Sequence, residues 1–120
     1  MIWIKAASLL MFLGVALGAF GAHALKDKVE PYFLEVFKTG VLYHLIHALG
    51  LFAVAWLSSV SQDPKIMWAG IFLIAGIFFF SGSLYAMTLT GIRVFGAVTP
   101  IGGICFLTAW VLILISRIKL

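Results

Sequence analysis

The sequence predicts an all-α integral membrane protein, a compact bundle of four transmembrane helices with an interfacial helical segment between the first and second. Three observations carry this. Apolar residues make up 64% of the 120-residue chain and charged residues 10%, too few to cover a water-exposed surface. The mean hydropathy is +1.21. The charges fall between four runs that hold no Asp, Glu, Lys or Arg: Ala6 to Leu25, Thr39 to Gln62, Ile66 to Ile92 and Val94 to Ser116. Each run reaches the ~20 residues that a helix needs to cross ~30 Å of hydrocarbon. The spans are placed at roughly 4–24, 38–59, 66–90 and 95–116, in one membrane domain covering 1–120.

The first span is rich in small residues. Gly14, Gly18 and Ala22 recur at steps of four, with Gly21 widening the stripe, so a neighbouring backbone can approach closely. Internal packing is the plain reading, and a seam between two copies of the chain the sharper one. Lys5, the apolar run and Ala22-His23-Ala24 also have the order of a secretory signal. Its removal would strip the bundle of this glycine face, which favours a retained helix.

Lys26 to Lys38 alternates charges with Val29, Tyr32, Phe33, Val36 and Phe37. Pro31 suits a first helical position, and Glu30 before it suits the positive end of the helix dipole. Residues 31–38 therefore form an interfacial helix or a preceding extension of the second span, with aromatics at headgroup level. The polar stretch Ser58 to Lys65 makes spans two and three an antiparallel hairpin, and Thr90-Gly91-Ile92-Arg93 makes a tighter turn between three and four. Gly82 in the third span, and Gly102 and Gly103 in the fourth, are further packing candidates. At Thr99-Pro100, either Thr99 caps a helix that Pro100 opens, or Pro100 kinks one that starts earlier. Cys105 lies among apolar neighbours and reads as an inert packing residue.

Face A, defined by the 58–65 turn, carries Lys5, Lys65, Arg117 and Lys119; face B carries Lys26, Lys28, Lys38 and Arg93. Four against four gives no orientation by the positive-inside rule. The formal charge of +4 is too thinly spread for a phosphate-tracking surface, so nucleic acid is not an expected partner. The lipid bilayer is, together with a membrane-protein partner or a second copy of the chain.

Polar residues inside a span are the best functional pointer in such a chain. Counted from the loops, His23, Tyr43, His44, His47, Ser81, Ser83, Tyr85 and Thr99 all fall in the half of the bilayer next to face B. They form a candidate polar pocket, with His47, Ser81, Ser83 and Tyr85 inside and His23 and Tyr43 at its mouth. His44 and His47 lie three apart and offer one metal two nitrogens, with His23 as a third. No thiolate or carboxylate stands beside them to complete a tight site, so a metal is left open and no cofactor is required. The alternative for each histidine is a hydrogen bond to a carbonyl or hydroxyl across helices.

Gly18-Ala19-Phe20-Gly21-Ala22-His23, Tyr43-x-x-x-His47, Phe80-Ser81-Gly82-Ser83-Leu84-Tyr85 and Thr99-Pro100-x-Gly102-Gly103 resemble, in order and spacing, the motifs of the DUF-423 or UPF-0382 family of small bacterial inner-membrane proteins. The resemblance covers nearly the whole chain and implies a four-span protein of the cytoplasmic membrane. It implies no activity. His44 stands where the family often carries glutamine.

Catalysis is not expected, since no serine, histidine and carboxylate stand at a known motif spacing. Proton-coupled transport lacks its carboxylate, because Asp27, Glu30, Glu35 and Asp63 all lie in connections. The expected role is that of an accessory, stabilising or scaffolding subunit. A homo-oligomeric transporter or channel, or a histidine-based binder of metal, haem, quinone or lipid headgroup, is the alternative.

Overall fold

The computed structural model describes residues 1–119. Among them four helical stretches are long and apolar enough to cross a membrane: α1 (Ile2–Leu25), α2 (Pro31–Val60), α3 (Pro64–Thr90) and Arg93–Leu114, in which a 3₁₀ turn over Arg93–Ala97 leads into α4 (Thr99–Leu114). Proline and glycine set the ends. Pro31 and Pro64 each stand in the first turn, where a missing N–H costs nothing. Asp63 caps α3 by accepting from the Lys65 amide at 3.0 Å. Gly91, at φ 70°, closes α3 with its amide on the Met87 carbonyl, a left-handed position that favours glycine.

The helices pack in chain order, α1 on α2, α2 on α3 and α3 on α4. The result measures 50 × 26 × 17 Å, flatter than it is wide. Half of the α2 span and 44% of the α3 span are buried, against 11% for α1 and 17% for α4, so α2 and α3 are the centre. Their core side chains include Leu51, Val54, Ile66 and Leu73, with Phe106 and Ala109 contributed by α4.

Glycines decide how close these neighbours come. The stripe of α1 lies against α2: a Cβ on Gly14 would sit 2.7 Å from Leu45, on Gly18 2.9 Å from Val41, and on Gly21 3.0 Å from Phe37. The glycine face is thus used within the chain. Gly102 meets the backbone of Phe80, and Gly76 lies under the Phe106 ring. Gly82 and Gly103 do not share this role. A Cβ on Gly82 would meet only its own helix, and one on Gly103 nothing within 4 Å.

The sequence left two boundaries open, and for residues 31–38 the extension of the second span is what the structure shows. Residues 31–38 are not a separate interfacial helix but the first turns of α2, continuous from Pro31 to Val60. Lys38 pairs with Glu35 at 3.5 Å, and the Arg93 guanidinium lies 4.7 Å above the Tyr32 ring. Charges and aromatics beyond the hydrocarbon therefore extend the helix rather than end it. At the start of α4, Val98 holds the capping position and Thr99 turns its hydroxyl to Ser83 instead. Pro100 lies in the first turn and so kinks nothing.

Candidate functional site

His44 and His47 do not converge. His47 turns to α4, where its ring stacks on Phe106 with centroids 3.5 Å apart. The Trp110 indole N–H donates to its Nε2 at 3.1 Å, and its Nδ1 lies 2.8 Å from the Tyr43 carbonyl. An indole nitrogen only donates and a carbonyl only accepts, so His47 is the neutral tautomer carrying hydrogen on Nδ1. Tyr43 closes the cluster, 4.4 Å from the Phe80 ring centroid.

His44 turns to α1 and α3. Its Nε2 donates to the Leu10 carbonyl at 2.7 Å, and its Nδ1 lies 2.8 Å from the Tyr85 hydroxyl. Gly14 makes the first bond possible: a Cβ there would stand 3.2 Å from the imidazole Cδ2 and push the ring off. Beside this pair α1 and α3 part, leaving a cleft of about 460 Å³ walled by Leu13, Leu17, Ile74, Ile77, Phe78 and Gly82. His44 and Tyr85 are its polar lining residues. Each wall contains one π-helical turn, Leu17–Gly21 in α1 and Ile77–Ser81 in α3, and Leu17 and Ile77 begin them. Such turns widen a helix locally and are frequent at functional sites.

The other expected pocket residues lie elsewhere. The Ser81 hydroxyl donates to the Gly40 carbonyl at 2.7 Å, between α2 and α3. Ser83 donates to the Phe80 carbonyl and pairs with Thr99 at 2.6 Å, joining α3 to α4. His23 is exposed near the B end of α1. The single polar pocket therefore resolves into separate pairings, each fastening two helices. His44 and His47 are thirteen and sixteen residues along a 30-residue helix, about 20 and 24 Å from its start and near its middle. Trp110 and Leu10 were not anticipated as partners. A tryptophan N–H inside a span signals a need for an acceptor, but a helical carbonyl carries no signal of its own.

All four imidazole nitrogens of His44 and His47 have protein partners, and among the described residues no group of three His, Cys, Asp or Glu side chains could hold a metal. At face A a different polar set ties the α2–α3 turn to the end of α4. The Asp63 carboxylate accepts from the Arg117 amide at 2.7 Å as well as from Lys65, and the Ser61 hydroxyl donates to the Arg117 carbonyl at 2.8 Å. These amide donors, helped by the Lys65 charge, hold the Asp63 carboxyl below the ordinary carboxylate range.

A family model described as "Protein of unknown function (DUF423)" matches residues 17–103, the stretch that contains His23, His44 and His47. The chain belongs to this DUF423 family. Among its relatives is the UPF0382 membrane protein YwdK of Bacillus subtilis, 47% identical over 89% of this chain and 88% of that one. The UPF0382 membrane protein SH2409 of Staphylococcus haemolyticus is 40% identical over 98% of this chain and 96% of its own. The UPF0382 inner membrane protein YgdD of Escherichia coli K12 is 38% identical over 91% and 83% respectively. No solved structure matches. With four helices able to span and relatives named as membrane proteins, this DUF423 member is a multi-pass membrane protein.

Proposed function

We propose that this protein is a non-catalytic accessory protein of the membrane that holds an apolar, bilayer-dissolved molecule in the cleft between α1 and α3. The observation that carries the reading is the cleft itself. Its volume of about 460 Å³ falls in the ~300–1,000 Å³ range of small-molecule sites, and its apolar walls meet one polar pair, the usual composition of such a site. It stands between α1, a peripheral helix, and the central α3, so a molecule can enter sideways from lipid.

The remaining polar groups support a non-catalytic reading. Ser81 and Ser83 both donate to main-chain carbonyls and neither meets a histidine. His47 is held on both nitrogens within an aromatic cluster. The test is to extract the protein in polymer-bounded native discs and compare its lipids with bulk discs by mass spectrometry. One molecule should be enriched, and Gly82→Leu, which adds a bulky side chain to the cleft's lining, should remove it. No enrichment, or the same enrichment in the variant, would sink the proposal.

A further inference from the structure

The hydrogen-bond valences at the floor of the cleft specify what a head group must offer; the argument rests on the cleft being a binding site. The Leu10 carbonyl only accepts, so His44 Nε2 carries a hydrogen. An imidazolium is costly at the bilayer centre, and no carboxylate faces this one: Asp27, Glu30, Glu35 and Asp63 all lie at helix ends or connections. The neutral ring therefore presents a lone pair at Nδ1, and the Tyr85 hydroxyl must donate to it across 2.8 Å. That engages the one hydrogen Tyr85 has. What remains on the floor is the phenolic oxygen as an acceptor, with no donor to match it among the described residues. The His44 nitrogens cannot substitute, since the residue is only 3% exposed and both are engaged.

We infer that the cleft selects a long-chain membrane alcohol, whose hydroxyl donates to the Tyr85 oxygen while its chain lies along Leu13, Leu17, Ile77 and Phe78. A ketone, ester or quinone of the same shape brings only acceptors, finds no donor there, and leaves two lone-pair groups facing each other without water. An ether has the same defect. The walls supply attraction for any chain, and the floor supplies the choice.

The experiment reconstitutes the full chain in phosphatidylcholine nanodiscs with a hexadecanol bearing a mid-chain diazirine, or with its methyl ether. Labelled positions are mapped by mass spectrometry. Both compounds should label cleft residues, and Gly82→Leu should abolish both labels. In the unaltered protein the alcohol should label the cleft roughly tenfold more than the ether, the effect of one interhelical-strength hydrogen bond in lipid. Equal labelling by the two compounds, still sensitive to Gly82→Leu, would overturn the alcohol preference and leave the cleft reading standing. Labelling absent from the cleft, or indifferent to Gly82→Leu, would overturn both. Competition in the unaltered protein provides a second measure: unlabelled hexadecanol should displace the probe at roughly one-tenth the mole fraction needed for hexadecan-2-one. Equal competition would also overturn the preference.

Discussion

His44 and His47 stand three residues apart on α2, and the regions around them are built on opposite terms. Around His47, α2, α3 and α4 pack together: Phe106 stacks on the ring, Trp110 donates to it, and Gly76 and Gly102 let α4 lie directly on α3. Around His44, α1 touches α2 along its glycine stripe but stands off from α3 at mid-depth, and the space between them stays open. Both histidines are satisfied. The difference lies in what their partners leave over. The indole that serves His47 has no further valence, whereas the phenol that serves His44 keeps an acceptor facing a cavity. A closed polar pair is a fastener, and a half-open one is a recognition element.

The largest effect expected from this contrast is on the closed side. Gly102→Ala forces a Cβ into the backbone of Phe80, which cannot yield as a side chain can. It should cost about 3 kcal/mol, at the upper end for overpacking, read as the shift in unfolding free energy during titration with sodium dodecyl sulfate. A parent-like transition would mean that α3 and α4 do not meet there.

Paired removals of the hydrogen-bond donors come next. Trp110→Phe leaves the His47 Nε2 acceptor buried beneath aromatic rings and should cost about 1–2 kcal/mol, whereas Tyr85→Phe should cost nearer ~0.6 kcal/mol, because the cleft can admit another donor. Reversal of this order in the same unfolding titration would break the distinction between closed and open sides.

The face A clasp sharpens the comparison from the aqueous side, since it secures α4 and, among the described residues, no equivalent side-chain bonds secure the start of α1. Because the Asp63 carboxyl is depressed in the folded protein, its contribution is fully present above the unfolded value of ~3.9 and is lost as pH falls through the lower folded value. Protection of the Arg117 amide, measured against its intrinsic exchange at each pH, should fall below about pH 4 while that of the α1 amides holds steady. Asp63→Asn should lower it at neutral pH, and uniform loss of protection across both helices would dismiss the clasp.

The smallest effect belongs to Gly82→Leu. Its Cβ meets nothing beyond its own helix, and leucine forms helix better than glycine, so stability should change by less than about 0.5 kcal/mol even as the cleft is filled. Strong destabilisation would show that the cleft closes in solution.

Much of this fold is legible in the sequence, and the reason is solvent. A bilayer core admits no unpaired backbone group and few charges, so charge-free runs of sufficient length determine the spans, and Pro64 and Gly91 mark the hairpin turns by backbone chemistry alone. The glycine stripe Gly14-Gly18-Gly21 likewise announces a close neighbour. The sequence could not say which neighbour, nor how the polar residues divide. Positions three apart on a helix share a general direction, but one imidazole rotates towards α1 and the other towards α4, and that choice belongs to side chains distant in the chain, Leu10 and Tyr85 against Phe106 and Trp110. Glu35 and Lys38 can continue a helix outside the hydrocarbon, so the first charge met does not mark the end of α2. Length, hydropathy and turn chemistry are local and can be read residue by residue. The pairing of polar groups and the cleft left between α1 and α3 arise only when four rigid cylinders meet, and only the tertiary structure decides them.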